Sequence, residues 1–308
     1  MNTNILTPEK DPMGAAILDY QTTGKAGKLS VLSSMFEEDE MPVKHLFRNF
    51  EEMPKLEQTA LKLAKGHVLD VGAGAGCHAL ALQKWMEDAS LKEKEDNSLK
   101  EREDNSRKEK YTEEKISSVK AIDISPLSCE AMKLRGIKDV ECINLFDSHL
   151  SCSKGIGEGS GISIEKETNQ ATGFNTILLL MNGTGIAGKI ANLPTLFNRL
   201  KALLNKNGQI LIDSSDLKYI YENEDGSFDI DLNAAYYGEV DYQMAYHRVP
   251  KTKTEGKKLK GNLIKGEPFD WLYVDFPLLK SIAESCGLHC ELIEEGEHYD
   301  YLARINRP

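Results

Sequence analysis

His67-Val-Leu-Asp-Val-Gly-Ala-Gly-Ala-Gly76 is the stretch that decides the fold. Val68 to Val71 read as a short buried strand, and Gly72 to Gly76 turn the chain out of it. Glycine is needed in such a turn where the backbone passes close beneath a ligand, because a Cβ would collide with it. The apolar residues that follow, through Leu80, Leu82 and Trp85, predict a helix. Its N-terminus points at the same ligand and favours a negative group there. Two acids sharpen the unit: Asp70 on the strand, and Asp123, which ends the next strand in Ala121-Ile-Asp-Ile-Ser125. Asp123 lies 47 residues beyond Gly76 (123 − 76), but an inserted repeat intervenes. Without it the spacing returns to about 20, as expected for a ribose-binding carboxylate.

Working outward, Leu56, Ala60, Leu61, Leu63 and Ala64 recur at helical spacing between Pro54 and Gly66. Downstream, strands are expected at residues 119–124, 140–145, 176–181 and 209–213, with helices over 127–135, 193–204 and 276–286. Two closing strands, 288–293 and 299–305, are joined by a short Glu-Gly turn, which makes the last one antiparallel. This alternation predicts an α/β fold, a Rossmann-like doubly wound seven-stranded sheet with an antiparallel last strand. Residues 1–53 hold no long periodic segment and read as an N-terminal cap on a core of residues 54–308. Three insertions interrupt that core. Residues 90–116 contain an octad repeat, Glu93 to Lys100 and Glu101 to Lys108, too charged to bury. Residues 151–173 are rich in Gly and Ser and read as a flexible loop. Residues 214–275 alternate in Val240–Tyr246 and Phe269–Val274, which predicts a β-hairpin insertion.

Composition narrows the function. In 308 residues, 38 Lys and Arg face 49 acids, a net charge of −11, so nucleic acid is a poor partner for the chain. The longest aliphatic run, Ile177 to Met181, cannot span a bilayer, and no signal peptide is visible at the N-terminus, so a cytoplasmic protein is expected. Six cysteines show no Cys-x-x-Cys, and no metal site is expected. Cys286 and Cys290 read as small apolar residues of the core.

The motifs together resemble the class I S-adenosylmethionine-dependent methyltransferases. Val68 to Gly76 is similar to that superfamily's first motif, Ala121 to Pro126 to its second, and Asn144-Leu-Phe-Asp147 to its third. Phe174 to Asn182 stands where the fourth belongs, and Leu203 to Ile212 resembles the helix-to-strand segment after it. Asn175 replaces an acid common in the fourth motif, and Lys206-Asn207-Gly208 a more usual Pro-Gly-Gly. The resemblance implies S-adenosylmethionine as cofactor. It implies that Gly72, Gly74 and Gly76 line its methionine portion while Asp70 helps to hold the ammonium. Asp123 would accept the ribose hydroxyls and Ile124 would pack on adenine. Asp147, beside Phe146, would accept the adenine amino group, and Asn182 would face the methyl-transfer site.

Two other readings stay open. The glycines can be placed on a dinucleotide-binding pattern, with Asp123 serving NAD(P) in an oxidoreductase, although Asp70 would then meet a pyrophosphate. A non-catalytic S-adenosylmethionine-binding sensor or scaffold is the other. The acceptor is expected to be a small molecule. Met181-Asn-Gly-Thr-Gly185 replaces the Asn-Pro-Pro-Tyr or Asp-Pro-Pro-Tyr of nucleic-acid amino methylases, and no Pro-Cys dipeptide occurs. Residues 214–275 hold seven of the eleven tyrosines, with Trp271, so Tyr242 and Trp271 are candidate substrate contacts. The lysines between 251 and 265 read as a solvated tip. In the cap, His45 is a candidate base and Arg48 a candidate carboxylate ligand.

Overall fold

The protein is described here by a computed structural model covering residues 4–100, 115–150, 173–223, 225–230, 235–249 and 263–308, without the side chains of 92–100. The second octad, the 151–173 loop but for Gly173, and most of the lysine-rich tip lie outside the described residues. In chain order the elements are α1 (Pro12–Thr23), β1 (Lys28–Leu32), β2 (Asp39–Glu40), α2 (Lys55–Leu63), β3 (Gly66–Val71) and α3 (Cys77–Lys100). Then come β4 (Ile116–Asp123), α4 (Pro126–Leu134), β5 (Val140–Cys142), β6 (Phe174–Leu179), α5 (Leu193–Leu203) and β7 (Leu204–Ser215). The chain closes with β8 (Glu239–His247), β9 (Leu263–Lys265), β10 (Phe269–Leu272), α6 (Phe276–Ser285), β11 (His289–Glu295) and β12 (Asp300–Asn306).

Seven strands form the central sheet in the order β11-β12-β7-β6-β3-β4-β5. β3, β4, β5, β6 and β7 pair in parallel, and β12 runs antiparallel to both β7 and β11. Strand side chains point to alternate faces. Leu69, Val71, Ile177, Leu179, Ile210 and Ile212 pack with α5 and α6, whereas Val68, Ala121, Leu178 and Leu211 pack with α2, α3 and α4. Both faces are covered, as a parallel sheet requires. The chain leaves β3 towards β4 on one side and returns as β6 on the other. Ligands bind in the crevice at the carboxyl ends of strands at such a switch point.

The cap and the 214–275 insertion were expected as separate pieces, and they meet in one second sheet. β1 pairs antiparallel with β8 (Leu29 opposite Tyr246) and with β2, while β8 also pairs with β9 and β10. The cap also contains a helix, α1, that periodicity did not reveal. Its buried residues Pro12, Gly14, Ala15, Ala16 and Ile17 are nearly contiguous and lie against α4 and β8, so no 3.6-residue stripe exists to read. β5 ends three residues before the expected Leu145, because Asn144 caps the turn by accepting the Phe146 amide at 2.9 Å. Among the described residues no helix is long and apolar enough to cross a membrane.

Candidate functional site

The turn after β3 opens a cradle. Gly72 and Gly74 both have left-handed backbone, with φ of +66° and +56°. A Cβ on Gly74 would meet nothing within 4 Å, and one on Gly72 only the Ile186 side chain at 3.8 Å. Gly76 differs from the expectation. A Cβ there would lie 2.3 Å from Ile137 and 2.9 Å from Met132, so Gly76 lets α3 pack close to α4 instead of facing the cleft. Asp123, ending β4, stands beside the turn. One of its oxygens accepts the Gly74 amide and the other the Ser125 amide, each at 2.8 Å. Burial raises its pKa to about 6 against those two bonds, and the nearby Asp11 and Asp70 add to the rise. Ile124 receives the N-terminal segment, its carbonyl accepting the Leu6 amide at 2.9 Å. Asp11 reaches in from the cap and accepts the Ser125 hydroxyl at 2.5 Å and the Gly14 amide at 2.8 Å.

Asp70 and Asp147 lie close by in different states. Asp70 is 1% exposed and accepts the Ala79 amide at 3.2 Å from under the turn, with burial raising its pKa. Its expected part in holding the ammonium is therefore limited to charge acting through the turn, without an open contact. Asp147 caps its own loop by accepting the His149 amide at 2.9 Å, and Arg199 holds the Asp147 carbonyl at 2.6 Å. Phe146, half-buried, precedes it at the edge of the core.

Beyond β6 the backbone is strained. Met181 and Asn182 have φ of +64° and +62°, an uncommon state for residues with a Cβ. Asp213, near the end of β7, clamps this corner by accepting the Met181 and Gly183 amides, each at 3.0 Å. Burial pushes the Asp213 pKa up to about 6. Asn182 spends its side chain on the framework: it donates to the Leu272 carbonyl at 3.2 Å and accepts from Ser214 at 2.8 Å and Thr184 at 3.2 Å. The Thr184 hydroxyl also reaches the Leu272 carbonyl at 2.9 Å, and the Trp271 ring fills the space a Cβ on Gly185 would need. β10 thus docks the second sheet onto the end of β6. Tyr242 lies opposite Phe269 in the register, and its hydroxyl meets that of Tyr273 at 3.2 Å. Burial raises both phenols, so neither is a phenolate at neutral pH.

A buried ionic group on the α2–α3 face was not foreseen. Glu57 accepts Arg48 Nη2 at 2.7 and 2.9 Å, and its Oε2 lies 2.8 Å from His78 Nε2. Burial works against a charged His78, yet Cys77, Glu57 and Asp70 together hold its pKa well above the ordinary imidazole value. Arg48 Nη2 also approaches the Met181 sulfur at 3.6 Å. Glu57 did leave a signal: it shares the apolar stripe of α2 with Ala60 and Leu61, where an acid is out of place. His45 sits exposed in the short turn Val43–Phe47, away from this group's hydrogen bonds.

These residues suit an adenosyl ligand carrying positive charge. The open cradle over Gly72 and Gly74 leaves room, and Asp123 keeps spare lone pairs for hydroxyl donors, with the charges of Asp11 and Asp70 nearby. No protein-family model and no curated protein matches the chain. Solved structures do. The chain is 45% identical to a SAM-dependent methyltransferase from Bacteroides fragilis, solved in complex with S-adenosyl-L-homocysteine, over 100% of this chain and 99% of that one, with a TM-score of 0.73. A methyltransferase from Clostridium acetobutylicum is 11% identical over 81% of this chain and 87% of its own, at a TM-score of 0.47. CcbJ from Streptomyces caelestis is 12% identical over 98% and 99%, at a TM-score of 0.48.

Proposed function

The chain belongs to the S-adenosylmethionine-dependent methyltransferases, and from that premise we propose that it transfers the methyl group to a small-molecule nucleophile held at the end of β6. Family membership sets aside the NAD(P) reading. S-adenosylmethionine, when bound, supplies a methyl group on a cationic sulfonium. We assign Asp123 to the ribose hydroxyls, Gly72 and Gly74 to the close approach of the backbone, Ile124 and Phe146 to the two sides of the adenine, and Asp147 to its amino group. Asp70 sits beneath the turn as charge complement and α3 anchor. Asn182 and Asp213 hold the strained corner that aims the acceptor along the line of the breaking bond, and positioning of that kind supplies much of the rate.

The observation that carries the small-molecule reading is the roof over β6. The second sheet is tied to the corner through Leu272 and Trp271, and it presents Tyr242, Phe269, Trp271 and Tyr273 on one side of β8 and β10. A roof of aromatic rings with hydroxyl handles fits a compact acceptor better than a polymer. The free thiols of Cys77, Cys129, Cys142, Cys286 and Cys290 agree with a reducing, cytoplasmic compartment.

The test is methyl transfer from labelled S-adenosylmethionine to an extract of the source cells, separated into metabolites, RNA and protein. Label should enter the metabolite fraction, and Tyr242→Phe or Trp271→Phe should lower its rate while leaving cofactor affinity within error. Label confined to RNA or protein would rule out the small-molecule acceptor. Cofactor binding without label in any fraction would favour a sensor.

A further inference from the structure

Behind Asp123 stands a second carboxylate, contributed by the cap. Asp11 lies immediately before α1 and is 0% exposed. It caps α1 by accepting the Gly14 amide at 2.8 Å, and it accepts the Ser125 hydroxyl at 2.5 Å. Ser125 in turn caps α4, its hydroxyl oxygen accepting the Ser128 amide at 2.9 Å. The Ser125 amide donates to Asp123 at 2.8 Å. One serine therefore joins two carboxylates, its hydroxyl on Asp11 and its amide on Asp123. The chain is shaped for this link. A Cβ on Gly14 would lie 2.2 Å from the Ser125 hydroxyl oxygen and 2.3 Å from Asp11 Oδ2, so glycine is what lets α1 come this close.

Capping alone does not account for a charge at this place. Serine and asparagine cap helices as well as aspartate does, and a buried carboxylate without a cation is costly. The groups acting on Asp11 are neutral donors from Ser125, Gly14 and Leu127, and burial raises its pKa against them. Lys10, next to it, pairs instead with Glu267 at the surface, at 2.9 Å. Around Asp123, Asp70 faces it from β3, and the Cys129 thiol on α4 donates to its carbonyl at 3.8 Å. Cys142 lies opposite Asp123 in β5, and burial raises the pKa of both thiols, which keeps them neutral. Lys133 on α4 acts on those thiols and pairs with neither carboxylate among the described residues. Asp11 is thus a like charge fixed beside the carboxylate assigned to the ribose.

We propose that Asp11 is a positioning residue of the cofactor site, holding Ser125 where its amide orients Asp123 and setting, by its charge, the pH below which the ribose is released. The cap is then part of the cofactor site as well as of the acceptor side. The inference rests on the methyltransferase reading and on the assignment of Asp123 to the ribose hydroxyls. A carboxylate has all its acceptor sites free for both hydroxyls only when it is ionised, and a like charge beside it disfavours that form. Removing the Asp11 charge should therefore extend binding to lower pH. A residue that only caps α1 would leave the profile where it is.

The experiment titrates the full chain, Asp11→Asn and Asp11→Ser with S-adenosylhomocysteine by calorimetry from pH 5 to 8, with a melting curve on each. Asp11→Asn keeps the shape and the cap and loses the charge, so its midpoint should lie about half a pH unit or more below that of the wild type. Its loss of affinity between pH 8 and pH 5 should then be at least about threefold smaller. Asp11→Ser caps α1 but falls short of Ser125. Its midpoint should move likewise, and its affinity at pH 8 should drop about threefold or more. If Asp11→Asn does not fold, Asp11→Ser decides the midpoint. An unmoved midpoint in a folded variant would overturn the proposal, and so would failure of both variants to fold, which would make Asp11 a residue of the fold alone. Either result leaves the methyltransferase reading standing. A wild-type affinity independent of pH would overturn the proposal together with the ribose assignment of Asp123, and no binding of S-adenosylhomocysteine at all would overturn the methyltransferase reading as well.

Discussion

Asp123, to which we assign the ribose hydroxyls, was legible from its place at the end of a strand after a glycine turn, and the structure adds a condition on that assignment. Its two oxygens already take the Gly74 and Ser125 amides, and burial pushes its pKa to about 6. It must be ionised to accept two more donors, so ligand affinity should be flat above pH 7 and fall by about tenfold per pH unit below 6. Calorimetric titration with S-adenosylhomocysteine from pH 5 to 8 would show this, and an affinity independent of pH would not fit. For the unliganded protein the sign is opposite. Asp123 and Asp213 are raised above the ordinary carboxylate value, so they weaken the fold above pH 6 and cease to do so as pH falls towards 4. His78, also raised, contributes stability that is complete below pH 6.5 and lost as pH rises through its folded value. All three act together, so the melting temperature of the free protein should decline from pH 5 to 8. Glu57, His78 and Asp213 were harder to read in the sequence. Their partners come from separate elements, and no spacing rule connects residues 48, 57, 78 and 213.

The glycine turn was legible as an element, but the duties within it were not. Sequence treats Gly72, Gly74 and Gly76 alike, and only the packing of α3 on α4 separates them. Gly74→Ala and Gly76→Ala should both lose about 1 kcal/mol or more to left-handed backbone. Gly76→Ala should lose a further 1–3 kcal/mol, roughly, through crowding against Ile137 and Met132. Gly74→Ala should instead lose ligand affinity, since its Cβ would occupy the open cradle. Melting curves and titrations on the two variants should therefore rank them in opposite orders. Deleting residues 92–112 should leave cofactor affinity unchanged, as the octads offer no apolar face and shortening a long surface loop costs little. A large loss in that titration would mean the repeat takes part in the site. α1 was missed for a different reason: a short run of small apolar residues carries no period.

For the whole molecule, the doubly wound seven-stranded sheet and its antiparallel last strand followed from the alternation of strands and helices, while the strand order came only with the structure. The second sheet did not follow from it. β1 has only five residues and lies more than 200 residues from β8 in the chain, and the contact that joins them, Leu29 and Tyr246 packed with Ala15, Ala16 and Ile17 of α1, leaves no local signal. That pairing makes one unit of the cap and the insertion, and it roofs the end of β6, where we propose the acceptor binds. The central claim is that the Gly72–Gly74 cradle and Asp123 bind an adenosyl sulfonium cofactor at the carboxyl ends of β3 and β4. Isothermal titration of the wild type and Asp123→Asn with S-adenosylmethionine, S-adenosylhomocysteine and NADH tests it most directly. The account predicts one-to-one binding of the first two by the wild type, at least about tenfold weaker binding by the variant at an unchanged melting temperature, and no heat from NADH. Saturable binding of NADH, or undiminished binding of S-adenosylhomocysteine by Asp123→Asn, would contradict it.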